Sequence, residues 1–159
     1  MIQVGSTLPE VDFGLLVNGE VTNPGTNELF SDKRVVLFAV PGAFTPTCSQ
    51  AHLPGYVALA DKIKAKGIDS IICLSVNDAF VMDAWGRDQG VGSKIVMLAD
   101  GNGEYAKALD LEMDGTAFGM GMRGKRFAIV VDDGTATHVA VEDPGQFEVS
   151  KAESILEAL

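Results

Sequence analysis

Cysteine is scarce in this chain, with two in 159 residues, and two thiols cannot build the disulfide framework of a small secreted scaffold. A reducing compartment, the cytoplasm, is therefore expected. Basic residues are also few: 12 Lys and Arg stand against 22 Asp and Glu, for a formal charge of −10. That balance argues against nucleic acid or an anionic membrane as the main partner, because both reward clustered Lys and Arg. The acidic excess reads instead as a solubility device. No apolar stretch approaches the roughly 18 residues that a membrane span needs. The start, Met1-Ile2-Gln3-Val4-Gly5, has no basic region followed by an apolar one, so no signal peptide is expected. Internal repeats, low-complexity blocks and linkers are missing too. A single domain over residues 1–159 follows, long enough to bury a sizeable core.

What is present alternates between β and α patterns. Val35 to Val40 is an unbroken apolar run, suited to a strand buried on both faces, and Ile68 to Val76 reads as a second. A helix is expected over about Ala79 to Gln89, a short strand over Lys94 to Leu98, and a short helix over Gly103 to Leu109. Arg126 to Val131 leads through Asp132-Asp133-Gly134 into Thr137 to Val141, a hairpin by its turn chemistry. Val149 to Leu159 closes the chain as an amphipathic helix. Alternating strands and helices imply an α/β fold, with a largely parallel sheet covered on both faces and an antiparallel edge from the hairpin.

The segment Pro41-Gly42-Ala43-Phe44-Thr45-Pro46-Thr47-Cys48 follows the first strand. Thr45 suits an N-cap and Pro46 the first helical position, where its missing N–H costs nothing. Cys48 then falls in the first turn, where unpaired backbone N–H groups favour negative charge. A thiol there loses its proton more easily, and the thiolate is the nucleophile. Leu53, Tyr56, Val57, Ala60 and Ile63 continue at helical spacing. Pro54 removes the bond to Gln50 and should kink the first turns.

These residues carry a resemblance. PGAFTPTCS followed by HLPG (His52 to Gly55) is similar to the peroxidatic-cysteine loop of the peroxiredoxins. CLSVNDAFVMDAWG (Cys73 to Gly86), LAD (Leu98 to Asp100) and KRFAIVVDDG (Lys125 to Gly134) resemble the type II, peroxiredoxin-five-like subfamily. The resemblance implies a thioredoxin-like fold: a central mixed β-sheet flanked by helices, with an N-terminal extension. It implies a thiol-dependent peroxidase that reduces hydrogen peroxide and alkyl hydroperoxides and needs no cofactor or metal. Cys48 would be the nucleophile, ending as a sulfenic acid. Thr45 lies three residues earlier, and its hydroxyl can both donate to and accept from a peroxide. Pro41, without an N–H, would shield the thiolate. Arg126, matched through Phe127, would stabilise thiolate and transition state. Arg123 is either a supporting partner or an exposed arginine.

Cys73 lies among apolar residues and reads first as core, with a rival role as the residue that resolves a Cys48 sulfenic acid. Some relatives carry a resolving cysteine near the C-terminus, where this chain reads Phe147-Glu148-Val149-Ser150. The departure suggests a one-cysteine cycle recycled by glutathione with glutaredoxin, or by thioredoxin. His52, four residues after Cys48, would share its helical face. A Cys-His hydrolase or half a metal site is the alternative, but no third orienting group is evident. A packing and hydrogen-bonding role is expected for it. The glycine-rich Gly119 to Gly124 lacks the lysine-serine/threonine pair of a phosphate loop. Phe44, Phe80 and Trp85 are either core or, as the resemblance suggests, part of a homodimer face beside the site. The competing function is a non-enzymatic peroxide-sensing module that uses Cys48 oxidation as a signal.

Overall fold

The apolar runs of the sequence become the central strands of the computed structural model, which describes residues 1–159. In chain order the elements begin with β1 (Leu15–Val17), β2 (Glu20–Thr22), α1 (Thr26–Phe30) and β3 (Arg34–Ala39). A π-helical turn (Cys48–His52) then leads into α2 (Leu53–Ala65), β4 (Ser70–Ser75), α3 (Ala79–Asp88), β5 (Val96–Ala99) and α4 (Glu104–Ala108). The chain continues through β6 (Glu112–Asp114), a 3₁₀ turn (Thr116–Phe118), β7 (Met122–Gly124), β8 (Phe127–Asp132), β9 (Thr135–Val141) and α5 (Ala152–Ala158).

Five strands form one sheet in the order β5-β4-β3-β8-β9. The β5–β4 and β4–β3 pairs are parallel, whereas β3–β8 and β8–β9 are antiparallel. The sheet is therefore evenly mixed rather than largely parallel. The hairpin does not hang on an edge as a unit, because β8 pairs directly with central β3 and leaves only β9 outside. Successive side chains of β3 point to opposite faces, as strand geometry requires. Val36, Phe38 and Val40 pack with residues of α2, α3 and α5, whereas Val35, Leu37 and Ala39 pack with Phe13, Phe30, Tyr105 and Leu111. Burial on both faces is why β3, β4 and β8 read as continuous apolar runs rather than as alternating ones.

The β8–β9 turn has Asp133 at φ 47° and Gly134 at φ 76°, the positive pair that two-residue hairpins favour. A second such turn, Asn18-Gly19 at φ 50° and 82°, joins β1 to β2. This hairpin and the β6–β7 pair were not expected from the sequence; each of their strands is only three residues long. The final helix starts at Ala152 rather than Val149, because the Ser150 N–H and hydroxyl both donate to the Glu142 carboxylate. The expected distortion near Pro54 is present and has a definite form. Leu53 N–H donates to the Cys48 carbonyl five residues back, so the turn is widened where a proline ring would otherwise press on the Gln50 carbonyl.

Candidate active site

The site is built where β3 runs out. The loop from Pro41 to Thr45 turns sharply, with Phe44 in the left-handed region at φ 63°. Ala43 N–H donates to Asn77 Oδ1 at 3.0 Å, which ties the loop to the end of β4. Thr45 Oγ donates to the Gly42 carbonyl at 2.7 Å. Thr45 does take the N-cap position, since the helix starts at Pro46 and the Thr45 carbonyl accepts from Ser49 N–H at 2.9 Å, but its side chain closes the loop instead of making the capping bond. Arg123 supports the loop from beneath: Nε donates to the Met120 carbonyl at 2.9 Å, and Nη1 to the Val76 carbonyl at 3.2 Å and the Pro41 carbonyl at 3.5 Å. Gly42 permits this close approach, since a Cβ there would lie 3.1 Å from both Arg123 Nη1 and Thr45 Cγ2.

Cys48 opens the π-turn and is almost fully buried, at 1% exposure. Arg126 Nη2 donates to its sulfur at 3.2 Å. Sheet register explains this meeting across 78 residues. Ala39 pairs with Phe127, so Arg126 emerges beside the loop that follows β3. The other terminal nitrogen, Nη1, donates to His52 Nδ1 at 2.8 Å. His52 Nε2 in turn donates to the Ser150 carbonyl at 3.1 Å, which also accepts from Tyr56 Oη at 2.7 Å. Burial, and then the nearby Arg126 charge, lower the His52 pKa to about 3, so the ring is neutral.

Both ring nitrogens are thus taken, and Arg126 stands between the imidazole and the sulfur. This arrangement does not fit a Cys-His hydrolase, and no cluster of three or more His, Cys, Asp or Glu side chains is suited to a metal. Glu142 braces the rear through Oε2, which accepts from Glu148 N at 2.8 Å, Ser150 N at 2.9 Å and Ser150 Oγ at 2.6 Å. Burial alone would raise the Glu142 pKa, but those bonds outweigh it and leave the group below its usual range. A cleft of about 250 Å³ lies over Arg126, lined also by Pro41, Thr47, Met113, Lys125 and Phe147.

Cys73 lies at the centre of β4 with no exposed surface, in the same packed face of the sheet as Cys48. Burial, and then the neighbouring Cys48, push its thiol pKa well above the usual value, so Cys73 stays protonated. Phe44 and Phe80 are 54% and 63% exposed, but Trp85 is 0% exposed. Trp85 therefore does not line an outer face. Its indole N–H donates to Ser49 Oγ at 3.0 Å, which pins α3 to the π-turn. Nothing in the sequence marks Glu142 or Ser49 for these contacts, and Ser150 stands out there only as a position without cysteine. Ser150 contributes a backbone carbonyl, which leaves no mark in residue type.

A buried thiol bonded to arginine at the start of a helix, on a thioredoxin-like sheet, defines a thiol peroxidase. A dithiol oxidoreductase would need a second thiol where Thr45 stands. The Redoxin family model matches residues 3–156, and the chain belongs to that family as a peroxiredoxin of the type II, peroxiredoxin-five-like group. It is 46% identical to Peroxiredoxin-2E, chloroplastic, of Arabidopsis thaliana over 162 residues, covering 99% of this chain and 69% of that protein. Identity to Peroxiredoxin-2C of Oryza sativa subsp. japonica is also 46%, over 99% of this chain and 98% of that protein. Among solved structures, reduced Prx3 from Vibrio vulnificus in complex with H2O2 matches with a TM-score of 0.96 and 54% identity over 99% of each chain. Plasmodium falciparum antioxidant protein, a 1-Cys peroxiredoxin, matches at 0.93 with 30% identity, over 99% of this chain and 98% of that one. This chain is a thiol-dependent peroxidase with the thioredoxin-like peroxiredoxin fold. No helix is long and apolar enough to cross a membrane.

Proposed function

We propose that Cys48 is the peroxidatic residue of a one-cysteine cycle, with residues 1–159 acting as one domain. The observation that carries this reading is the 3.2 Å bond from Arg126 Nη2 to Cys48 Sγ. The Cys48 thiolate attacks one peroxide oxygen, and an S–O bond forms as the O–O bond breaks. The second oxygen leaves with the bonding pair and takes a proton, as water from hydrogen peroxide or as an alcohol from an alkyl hydroperoxide. Arg126 faces the negative charge that moves from sulfur to oxygen, Thr45 Oγ orients the peroxide, and Pro41 keeps an N–H and its water away from the sulfur. Hydrogen peroxide is the ligand named for the Vibrio relative, and the 250 Å³ cleft beside Arg126 leaves room for an alkyl chain.

Recycling follows from the cysteine inventory. An external thiol attacks the sulfenic sulfur and releases water. A second thiol then displaces Cys48 from the mixed disulfide and leaves the two reductant sulfurs joined. Glutathione with glutaredoxin, or thioredoxin, supplies these thiols. Cys73 is a poor resolving residue, because it is buried in mid-strand and holds its proton. Phe44 and Phe80 expose aromatic surface beside the loop and suit a homodimer face backed by Trp85. The setting is antioxidant defence and redox homeostasis in the cytoplasm.

The test compares peroxide consumption by wild type, Cys48→Ser and Cys73→Ser with glutathione plus glutaredoxin and with thioredoxin. Loss in Cys48→Ser with turnover kept in Cys73→Ser is expected. Activity retained without Cys48 would remove the mechanism, and loss of thioredoxin-linked turnover in Cys73→Ser, with glutaredoxin-linked turnover kept, would assign resolution to Cys73.

A further inference from the structure

We propose that His52 is a positioning residue of the peroxidase reaction: the Ser150 carbonyl fixes its ring, and the ring aims Arg126 at Cys48. The proposal rests on the reading of Cys48 and Arg126 given above. A carbonyl oxygen only accepts hydrogen bonds and a guanidinium only donates them. An imidazole with Nε2 on the Ser150 carbonyl and Nδ1 on Arg126 Nη1 therefore has one arrangement that satisfies both contacts. It is neutral, with its hydrogen on Nε2. A ring protonated at both nitrogens would turn an N–H toward the guanidinium and break the bond.

The arrangement matters because an arginine held at one point is poorly directed. Its side chain has about 2 kcal/mol of rotamer entropy, and one bond to sulfur leaves the guanidinium plane free to turn. Nη1 on His52 and Nη2 on Cys48 fix the plane as a fork. The partner's lack of charge is also consequential. Arg126 takes part in no salt bridge; the two in the molecule are Met1–Asp110 and Arg87–Asp83. A carboxylate in place of His52 would also orient Arg126, but would cancel the positive charge that sulfur and the leaving oxygen require. A neutral imidazole orients without cancelling.

The ring has little freedom to move. It lies 5.0 Å from Phe38, 5.6 Å from Tyr56 and 5.1 Å from Phe147 between centroids, and Phe147 also faces the Arg126 guanidinium at 5.7 Å. Its carbonyl anchor is held in turn, because Tyr56 donates to the same oxygen and Glu142 ties down the Ser150 N–H and hydroxyl. The carboxylate thus braces the loop at the rear of the network rather than facing the guanidinium.

Two variants separate positioning from packing. His52→Asn keeps an acceptor, because its Oδ1 hangs from Cγ as Nδ1 does, but it cannot reach Ser150. His52→Leu has neither group. In the folded, reduced protein, His52→Leu is expected to slow oxidation by hydrogen peroxide by roughly 10- to 100-fold, as for loss of a charge-assisted hydrogen bond. His52→Asn should recover part of the rate, because it keeps the acceptor for Arg126 and lacks the Ser150 anchor. Equal losses in the two variants, or no loss in His52→Leu, would overturn the proposal. Arg126→Met in the same assay tells two failures apart. If it leaves the rate unchanged, the reading of Arg126 falls and the proposal with it. If it slows the reaction while His52→Leu does not, the positioning role alone falls. Should His52→Leu fail to fold, ¹⁵N NMR of the wild-type ring decides. The neutral Nε2–H form at pH 6 is required, and an Nδ1–H tautomer or a protonated ring there would overturn the proposal.

Discussion

Replacing Arg126 with methionine removes a charge while keeping most of the side-chain volume. The Nη2–Sγ contact of 3.2 Å sets the scale of the effect. The guanidinium charge is spread over three nitrogens, so its centre lies about 4 Å from the sulfur. At an effective dielectric of about 20, unit charges at that separation attract by about 4 kcal/mol. Arg126 is half-buried beside an open cleft, so solvent takes over part of this stabilisation once the side chain is gone. A loss of about 2 to 4 kcal/mol is then expected, which is roughly 30- to 900-fold in kcat/KM for peroxide. The same range follows from removing an oxyanion-hole donor, about 100- to 1000-fold. The assay is stopped-flow oxidation of reduced protein by hydrogen peroxide at several concentrations. A urea titration accompanies it, because the variant leaves His52 Nδ1 without its donor. A folded Arg126→Met protein within about threefold of the wild-type rate would refute the claim that this arginine stabilises the transition state.

Two further perturbations probe the frame around the site. With a folded-state pKa of about 3 against 6.5 unfolded, His52 contributes stability that is full above pH 6.5 and is lost as pH falls toward 3. Between pH 7 and pH 5 this loss is about 2 kcal/mol, and His52→Asn should flatten the urea-derived stability profile by that amount. Glu142, whose pKa is lowered, adds a loss of the same sign at more acidic pH, whereas Asp100, whose pKa is raised by burial, opposes it. Identical profiles for wild type and His52→Asn would contradict the assignment. Gly86 is a packing test: a Cβ there would sit 2.6 Å from Met97 Cγ and 3.3 Å from Val91 Cγ2. Gly86→Ala should destabilise the protein by about 1 to 3 kcal/mol, read as a lower thermal midpoint, with the peroxide rate of the folded fraction unchanged.

The strands buried on both faces were legible because each residue between Val35 and Ala39 meets an apolar layer, and the chemistry narrows to residues of one polarity. Short elements were less so. The Asn18-Gly19 pair is a strong turn signal, yet three-residue strands flanking it carry too little alternation to declare themselves. The direction of β8 was also hidden, since pairing with β3 is settled by connections elsewhere in the chain. In the site, Cys48, Thr45, Pro41 and Arg126 were visible as a motif, and sheet register explains why Arg126 reaches Cys48. The Thr45 expectation is half met: its carbonyl accepts the first helical bond, from Ser49 N–H, but its hydroxyl serves the Gly42 carbonyl, a choice set by loop geometry. Trp85, open between core and interface in the sequence, is core: a large aromatic within a helix suits both, and its packing beneath the surface decides. The His52 role depends on the Ser150 carbonyl, and every residue carries a carbonyl, so sequence alone could not single that one out.

The central claim is that Cys48 alone is oxidised and then waits for a borrowed thiol. One equivalent of hydrogen peroxide added to reduced wild-type protein, with dimedone present and no reductant, followed by peptide mass spectrometry, tests it directly. The account predicts one sulfenic-acid adduct on Cys48, with Cys73 still a free thiol. A Cys48–Cys73 disulfide, or an adduct on Cys73 with Cys48 unmodified, would contradict it.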